Sequence, residues 1–250
     1  MKLFFLLLFT SMSQIAIAQS VSELLNQAIE IEKKLDEPLA LEAYKKVLEI
    51  DDKNLKALVK CAEYCSSIGA RQKSLSDRKP WYLNAQSYAL QAIKTYPDAA
   101  EANYTMALCA GKLTETEDEN KKIVEYVRQV KIYGDKAFAL NPNDAKTNYI
   151  MGKWHYQMIT LSWVKKTAVK AFYGGLPVAT LDSAIKYMEK CRSLDKYFAL
   201  NYLDLAKAYN QNREPAKAIA ILNQLVKLPT RCYDDTAIKE EGKKLLEKLS

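Results

Sequence analysis

The sequence predicts an all-α solenoid of paired helices, and three observations carry that prediction. A small residue recurs at one position of five stretches, as Ala28, Ala62, Ala107, Gly152 and Ala206. Around each, apolar residues follow a helical period, and no run alternates as a half-buried strand would. The stretches are separated by proline or Asx-rich turns such as Pro97-Asp98 and Pro142-Asn143-Asp144, which stop one helix and offer caps for the next.

The spacings between the five small residues are 34, 45, 45 and 54. The first is the tetratricopeptide period, and the rest exceed it by 11, 11 and 20 residues. Eleven residues make about three helical turns, so such an insert lengthens both helices of a hairpin without losing phase. Units begin near Val21, Leu55, Ala100, Ala145 and Ala199. The second helix of each unit has small slots of its own, Ala40, Ala85, Ala184 and Ala218, then Ala92, Ala137 and Cys191, with Val47 and Leu225 as larger substitutes. Small residues let antiparallel helices approach closely. The third unit fits least well, because its first such slot is Val130. Leu48 to Asn54 makes a turn without proline.

The fourth unit holds the largest insert. Its first helix is expected from Ala145 through Trp163 towards Phe172, until Gly174-Gly175-Leu176-Pro177 breaks it. Thr180 then caps the partner helix. After the fifth unit, Pro229 closes a helix. Asp234 to Leu249 reads as a capping helix, with Ile238, Leu245, Leu246 and Leu249 set to cover the last apolar face.

The N-terminus has a different grammar. Lys2 gives a positive charge, Leu3–Phe9 is unbroken apolar sequence, and Ala16-Ile17-Ala18 is a small-x-small cleavage site. Residues 1–18 are therefore predicted to be a secretory signal peptide, with residues 19–250 as the repeat domain. No cysteine for a lipoprotein anchor lies near the cut, and no later segment is apolar enough to cross a bilayer. A periplasmic or secreted location follows. Losing Lys2 lowers the formal net charge of +7 by one. An exported, mildly basic chain points to an acidic partner or anionic surface and away from nucleic acid.

Chemistry-bearing constellations are sparse. His155 is the only histidine, expected to be a satisfied core residue, so a Ser–His–Asp arrangement has no spacing logic. Gly174-Gly175 lacks the lysine and preceding strand of a phosphate loop. The acidic runs Asp51-Asp52, Glu117-Asp118-Glu119 and Asp234-Asp235 suit helix ends and solvated surface. Cys61, Cys65, Cys109, Cys191 and Cys232 are odd in number and lack zinc-site spacing, so they are read mainly as small buried hydrophobes. Neither an enzyme, a cofactor nor a metal is predicted.

Binding is the better-supported expectation. In this repeat type the first helices line the concave face. Counting along them selects Lys60, Tyr104, Leu108, Tyr149, Lys153, Tyr156, Leu203, Lys207 and Asn210. Tyrosine gives contact area at low entropic cost, and lysine recognises carboxylate or phosphate. The pattern suits a protein segment, or alternatively a lipid or other anionic amphipathic ligand. The asparagines of a carboxylate clamp for C-terminal peptides are absent. Two basic patches stand apart: Arg71, Lys73, Arg78 and Lys79 before Pro80-Trp81-Tyr82, and Lys165, Lys166 and Lys170 among Trp163, Val164, Val169 and Phe172.

Gly152-Lys-Trp-His-Tyr156, Leu161-Ser-Trp163, Leu176-Pro-Val-Ala-Thr180 and the helix ending Ala137-Phe-Ala-Leu-Asn-Pro-Asn143 together resemble the regulator of microtubule dynamics family. The resemblance covers roughly residues 85–249 and is most specific over 145–184. It implies an all-α repeat domain acting in protein association, with roles at microtubules and at organelle or lipid contacts. His155 stands where that pattern often has a cysteine. The predicted signal peptide parts the chain from cytosolic microtubules, so the fold is carried over and the microtubule role is not.

Overall fold

The computed structural model describes residues 20–175 and 177–250. The signal-peptide reading of residues 1–18, Leu176, and the side chains of residues 163–165 in the second basic patch lie outside that description. Twelve helices run in order among the described residues: α1 (residues 20–32), α2 (Glu37–Ile50), α3 (Leu55–Ala70), α4 (Leu75–Thr95), α5 (Ala100–Leu113), α6 (Asn120–Leu140), α7 (Ala145–Thr160), α8 (Trp163–Tyr173), α9 (Leu181–Leu194), α10 (Ala199–Gln211), α11 (Pro215–Leu225) and α12 (Asp235–Leu249). No strand occurs among them.

The hairpins are α1/α2, α3/α4, α5/α6, α7/α9 and α10/α11, with α12 packed on both helices of the last. The expected starts Leu55, Ala100, Ala145 and Ala199 are the first residues of α3, α5, α7 and α10. All five small residues of the first helices are buried, as are Ala40, Ala85, Ala184 and Ala218 opposite. At Gly152 the helices are in close contact. A Cβ there would lie 2.7 Å from Met188 Cγ and 3.0 Å from the Ala184 carbonyl oxygen. The odd slot, Val130, is also buried, and it faces Gly111, whose missing side chain leaves it room.

Caps follow the sequence in most turns. Asn54, Ser74, Asp144 and Thr180 accept N–H bonds at the starts of α3, α4, α7 and α9. The turns before α5 and α7 carry a further lock. Asn103 Nδ2 donates to the Pro97 and Ala99 carbonyls at 2.9 and 2.8 Å, and Asn148 repeats this with Pro142 and Asp144 at the same distances. In the fifth unit Tyr202 replaces the asparagine, its hydroxyl donating to Lys196 O at 2.9 Å. Tight turns at Leu35 and Arg213, both with φ 60°, close the first and last hairpins.

Two expectations are corrected. The 11-residue inserts do not lengthen both helices. They lengthen the second ones, since α4 and α6 each have 21 residues against 14 in α2, whereas α3 and α5 have 16 and 14. Pro80 thus sits inside α4, in its second turn. The long helix expected from Ala145 towards Phe172 is two helices. Thr160 turns its hydroxyl back onto the Tyr156 carbonyl, and Leu161 is extended (φ −53°, ψ 137°) so that its side chain joins Val127 and Trp154. The chain then restarts as α8, which packs on α6. Gly174 and Gly175, both with positive φ, end α8 as expected.

Gly152→Leu is expected to lower the melting temperature sharply. Its side chain would meet α9 backbone as well as Met188, and overpacking costs about 1–3 kcal/mol where flexible atoms can yield. A thermal melt checks this, with Gly111→Ala, whose Cβ meets only Val130 Cγ2 at 3.8 Å, as the tolerated control.

Candidate concave cleft

The first helices curve around a cleft of about 740 Å³. Its lining comes from the end of α1 and the inner faces of α3, α5 and α7, from Phe198 and Leu200 at the start of α10, and from residues 231–241 around the start of α12. The two ends of the array meet across it. Arg71, the residue after α3, donates from Nη1 to both carboxylate oxygens of Asp234 at 3.1 and 2.9 Å, and pairs with Glu37 through Nη2. Its guanidinium lies 4.4 Å from the Tyr233 ring centroid.

Lys60, Tyr104, Leu108 and Tyr149 do line the cleft. Lys153, Tyr156 and Lys207 lie beyond it on the same inner side of α7 and α10, and Asn210 is exposed at the end of α10, away from the lining. Leu203 is corrected. It is only 1% exposed and belongs to the core around Met188, Leu205 and Leu222, so no partner reaches it. Carboxylates do engage the lysines expected to receive them, but these belong to the chain itself. Asp204, 1% exposed, accepts from Tyr149 Oη and Lys153 Nζ, each at 2.7 Å, with Lys207 Nζ at 3.8 Å. Lys60 pairs with Glu32, whose other oxygen accepts from Tyr44 Oη at 2.8 Å. Lys146 reaches Glu63 at 2.5 Å and lies 5.7 Å from the Tyr104 ring centroid.

Counting along the first helices selected the cations and missed their anions, Glu32, Glu63 and Asp204. Two of these carboxylates stand three residues from a selected lysine on the same helix. A search for opposite charge at that spacing would have found Glu63 beside Lys60 and Asp204 beside Lys207.

The network shifts the titrations of its members. Burial pushes the Tyr149 and Tyr104 hydroxyls well above the ordinary tyrosine value, and the charges of Asp204 and Glu63 push them further. Burial also raises the Glu32 carboxyl, but hydrogen bonds from Lys60 and Tyr44 and the charges of Lys60 and Lys146 outweigh it, so the group ends below 4.5. At the clasp, burial raises Glu37 and Arg71 offsets only part of that rise.

The remaining candidates resolve structurally. The first basic patch is largely consumed: Arg71 by the clasp, Arg78 by the Gln72 carbonyl at 2.9 Å, and Lys79 by Glu117 at 3.4 Å. Asp234-Asp235 is not a solvated pair. Asp235 is buried and accepts the backbone N–H groups of Arg231 and Cys232. His155 is half-buried, stacked on Tyr187 with centroids 5.7 Å apart, and its Nδ1 has no partner, so it is not the satisfied core residue expected. Burial, helped by the charge of Lys131 and opposed by that of Asp135, lowers its pKa. Cys61, Cys65, Cys109 and Cys191 are buried and free, as small hydrophobes are. Cys232 is exposed, but burial of its sulfur and its bond to Asp235 push the thiol up to about 12.

Five hairpins of this register, a concave cleft and a C-terminal cap define a tetratricopeptide-type repeat scaffold. A thermophilic tetratricopeptide protein of Thermus thermophilus superposes with a TM-score of 0.64 at 14% identity, over 91% of this chain and 99% of that one. PilF of Pseudomonas aeruginosa gives 0.54 at 13% identity, over 94% and 93%. The chain belongs to the family described as regulator of microtubule dynamics protein 1-3, which it matches over residues 17–250. The rat regulator of microtubule dynamics protein 3 is 28% identical over 68% of this chain and 36% of its own length, and the mouse protein 1 is 27% identical over 70% and 58%. The chain thus spans between a third and three-fifths of those relatives, but 91% of the Caenorhabditis elegans protein 1, at 25% identity.

The charge network is open to two measurements. Replacing Tyr149 and Lys153 together by alanine leaves buried Asp204 with Lys207 alone, at 3.8 Å. Breaking a buried pair costs about 3–5 kcal/mol, less where one partner is part-exposed as Lys153 is, so a clear fall in melting temperature is expected. Glu32, with its folded pKa below the unfolded 4.5, contributes stability that is present above 4.5 and lost as pH falls through the folded value. Glu32→Gln should melt lower at neutral pH, with the difference from wild type shrinking on acidification. Paired melts from about pH 7 to about pH 3 read that difference.

Proposed function

We propose that this protein is a non-enzymatic interaction scaffold that holds a protein segment in its concave cleft. The observation that carries this reading is the composition of the cleft walls. Tyr64, Tyr104, Leu108, Ile150, Phe198 and Leu200 offer aromatic and apolar surface, while Lys60 and Lys146 are already neutralised by Glu32 and Glu63. A charged ligand would have to displace a partner already in place. A segment with apolar side chains gains contact without that cost, and its backbone amides can bond to the rim. The cleft's volume is that of a site for a few residues or a small amphipathic molecule.

The signal peptide read in residues 1–18 supports export, with a periplasmic or secreted site of action. The relatives are named for regulating microtubule dynamics. Export separates this chain from cytosolic filaments, so association through the repeat surface is what we carry over from them. Mass measurement of the protein recovered from its native host tests export, since cleavage after Ala18 leaves Gln19 at the N-terminus.

The cleft itself is tested by Ala237→Trp. Ala237 is exposed and lines the cleft from α12, so an indole there fills the space without disturbing the core. Its melting temperature should match wild type, and partners captured by wild type from a periplasmic extract should be lost by about tenfold or more. Retention of those partners by a folded variant removes the cleft from the reading. A small molecule co-purifying with wild type in native mass spectrometry, and absent from the variant, would replace the protein segment by an amphipathic ligand.

A further inference from the structure

Beside the concave cleft lies a second, smaller cavity of about 500 Å³. Three cations line it from separate parts of the chain: Lys33 from the turn after α1, Lys56 from the start of α3, and Arg231 from the loop between α11 and α12. Each is brought there by local structure. Leu35, with φ 60°, closes the turn that carries Lys33. Asn54 caps α3 and so sets Lys56 in its first turn. The Arg231 N–H donates to the buried Asp235 carboxylate at 2.7 Å, and its guanidinium lies 5.1 Å from the Tyr197 ring centroid. Glu32, Leu35 and Arg231 line the cleft as well, so the two spaces adjoin.

These cations differ from those of the cleft, where Lys60 and Lys146 are bound to Glu32 and Glu63. Lys56 is exposed and, among the described residues, has no ion pair. Lys33 pairs with Glu30, three residues away, with both side chains about two-thirds exposed. Arg231 meets Asp195 at 3.5 Å, again between exposed groups. Exposed pairs of this kind are weak and yield readily to another anion. Glu32, the carboxylate of the lining, is taken by Lys60 and the Tyr44 hydroxyl. The cavity therefore keeps a positive excess, where the neighbouring cleft is nearly neutral.

We propose that this cavity receives an acidic side chain at one end of the protein segment held in the cleft. The proposal rests on the cleft reading for what the acidic group is attached to, and on the cavity's own charge for the group itself. The Arg231 guanidinium can take a carboxylate through two N–H groups, and Lys33 and Lys56 add point charges around it. The adjoining walls favour an acidic residue of the segment over a separate ion. One chain can run along the apolar wall, pass Glu32 and Leu35, and place its end among the three cations. Linking the two contacts makes the second intramolecular, so a weak anion site is enough. The arrangement also gives direction. A segment with its acidic residue at the end bounded by Glu32 and Arg231 gains the contact, and a reversed segment does not.

The test is a peptide array probed with the protein. Each peptide has a random apolar core of leucine, isoleucine, phenylalanine, tyrosine and alanine, flanked at one terminus by a pair of glutamates, glutamines or lysines. Wild type should retain glutamate-flanked peptides about tenfold more tightly than glutamine-flanked ones, from one terminus only, and lose that preference in roughly 0.5 M salt. Lys33→Glu with Lys56→Glu should move the preference to lysine-flanked peptides and leave glutamine-flanked ones bound as by wild type. Both positions are exposed, so the melting temperature should hold; if it does not, Lys33→Gln with Lys56→Gln should erase the preference. Equal retention of glutamate- and glutamine-flanked peptides by wild type overturns the proposal and leaves the cleft standing, as does an unchanged preference in a folded variant. Glutamate-dependent retention that survives Ala237→Trp but not the lysine changes removes the cleft and keeps this site. Displacement by millimolar phosphate, but not by chloride of equal ionic strength, overturns the proposal and makes a phosphate the occupant. Retention of no peptide at all overturns both readings.

Discussion

Paired helices meet at small, buried residues, and the faces they turn inward depend on those contacts. At Gly152 a single added carbon would sit 2.7 Å from Met188, so α7 and α9 can come no nearer and need no wedge between them. The equivalent alanines are buried in the other hairpins. Because each stands at the same register on its helix, the faces turned inward are also in register. Tyr104 and Tyr149, on successive first helices, occupy equivalent places in the cleft for this reason. A solenoid's stability is a sum of such local interfaces. One overfilled slot would therefore reach beyond its hairpin, by tilting every unit after it.

The second constraint is electrostatic. Asp204 is buried on α10 and held by Tyr149 and Lys153 of α7. Glu63 on α3 is held by Lys146 of α7, and Glu32 by Lys60. Each bond spans two first helices, so the chain of pairs fixes their spacing along the cleft wall. Desolvation makes such pairs poor sources of net stability. Their geometric effect is firmer: they set which helix faces which, and they leave the cleft floor nearly neutral. At the mouth, the Arg71 clasp ties residues 163 apart in sequence. That contact turns an open superhelical arc into one whose ends meet, and it bounds the cleft at a side the repeats alone would leave open.

Hairpin register, helix starts and the capping helix are local features, and they were legible in the residues. The small slots need only their own neighbours. Asn54, Asp144 and Thr180 cap within three residues of themselves, and Ile238, Leu245, Leu246 and Leu249 follow the helical period that seats them on the last hairpin. The break at Leu161 was not legible, because nothing in Thr160-Leu161-Ser162 forbids a helix. It is the apolar pocket beside Trp154 and Val127 that draws Leu161 out of helical geometry. Leu203 failed as a surface candidate for a related reason: α12 and its neighbours cover a face that helical counting alone leaves open.

By itself, then, the sequence determined an all-α array of five hairpins, its register, its C-terminal cap and the side on which tyrosines and lysines gather. Those follow from interactions within one hairpin or between adjacent ones. Only the tertiary structure decided that the lysines are already partnered, that Arg71 reaches Asp234, and that the largest insert packs as a separate helix on α6. Each of those depends on how far the superhelix curves, a sum of small angles between successive units. No single residue sets that sum, and so no local pattern announces which distant side chains it brings together.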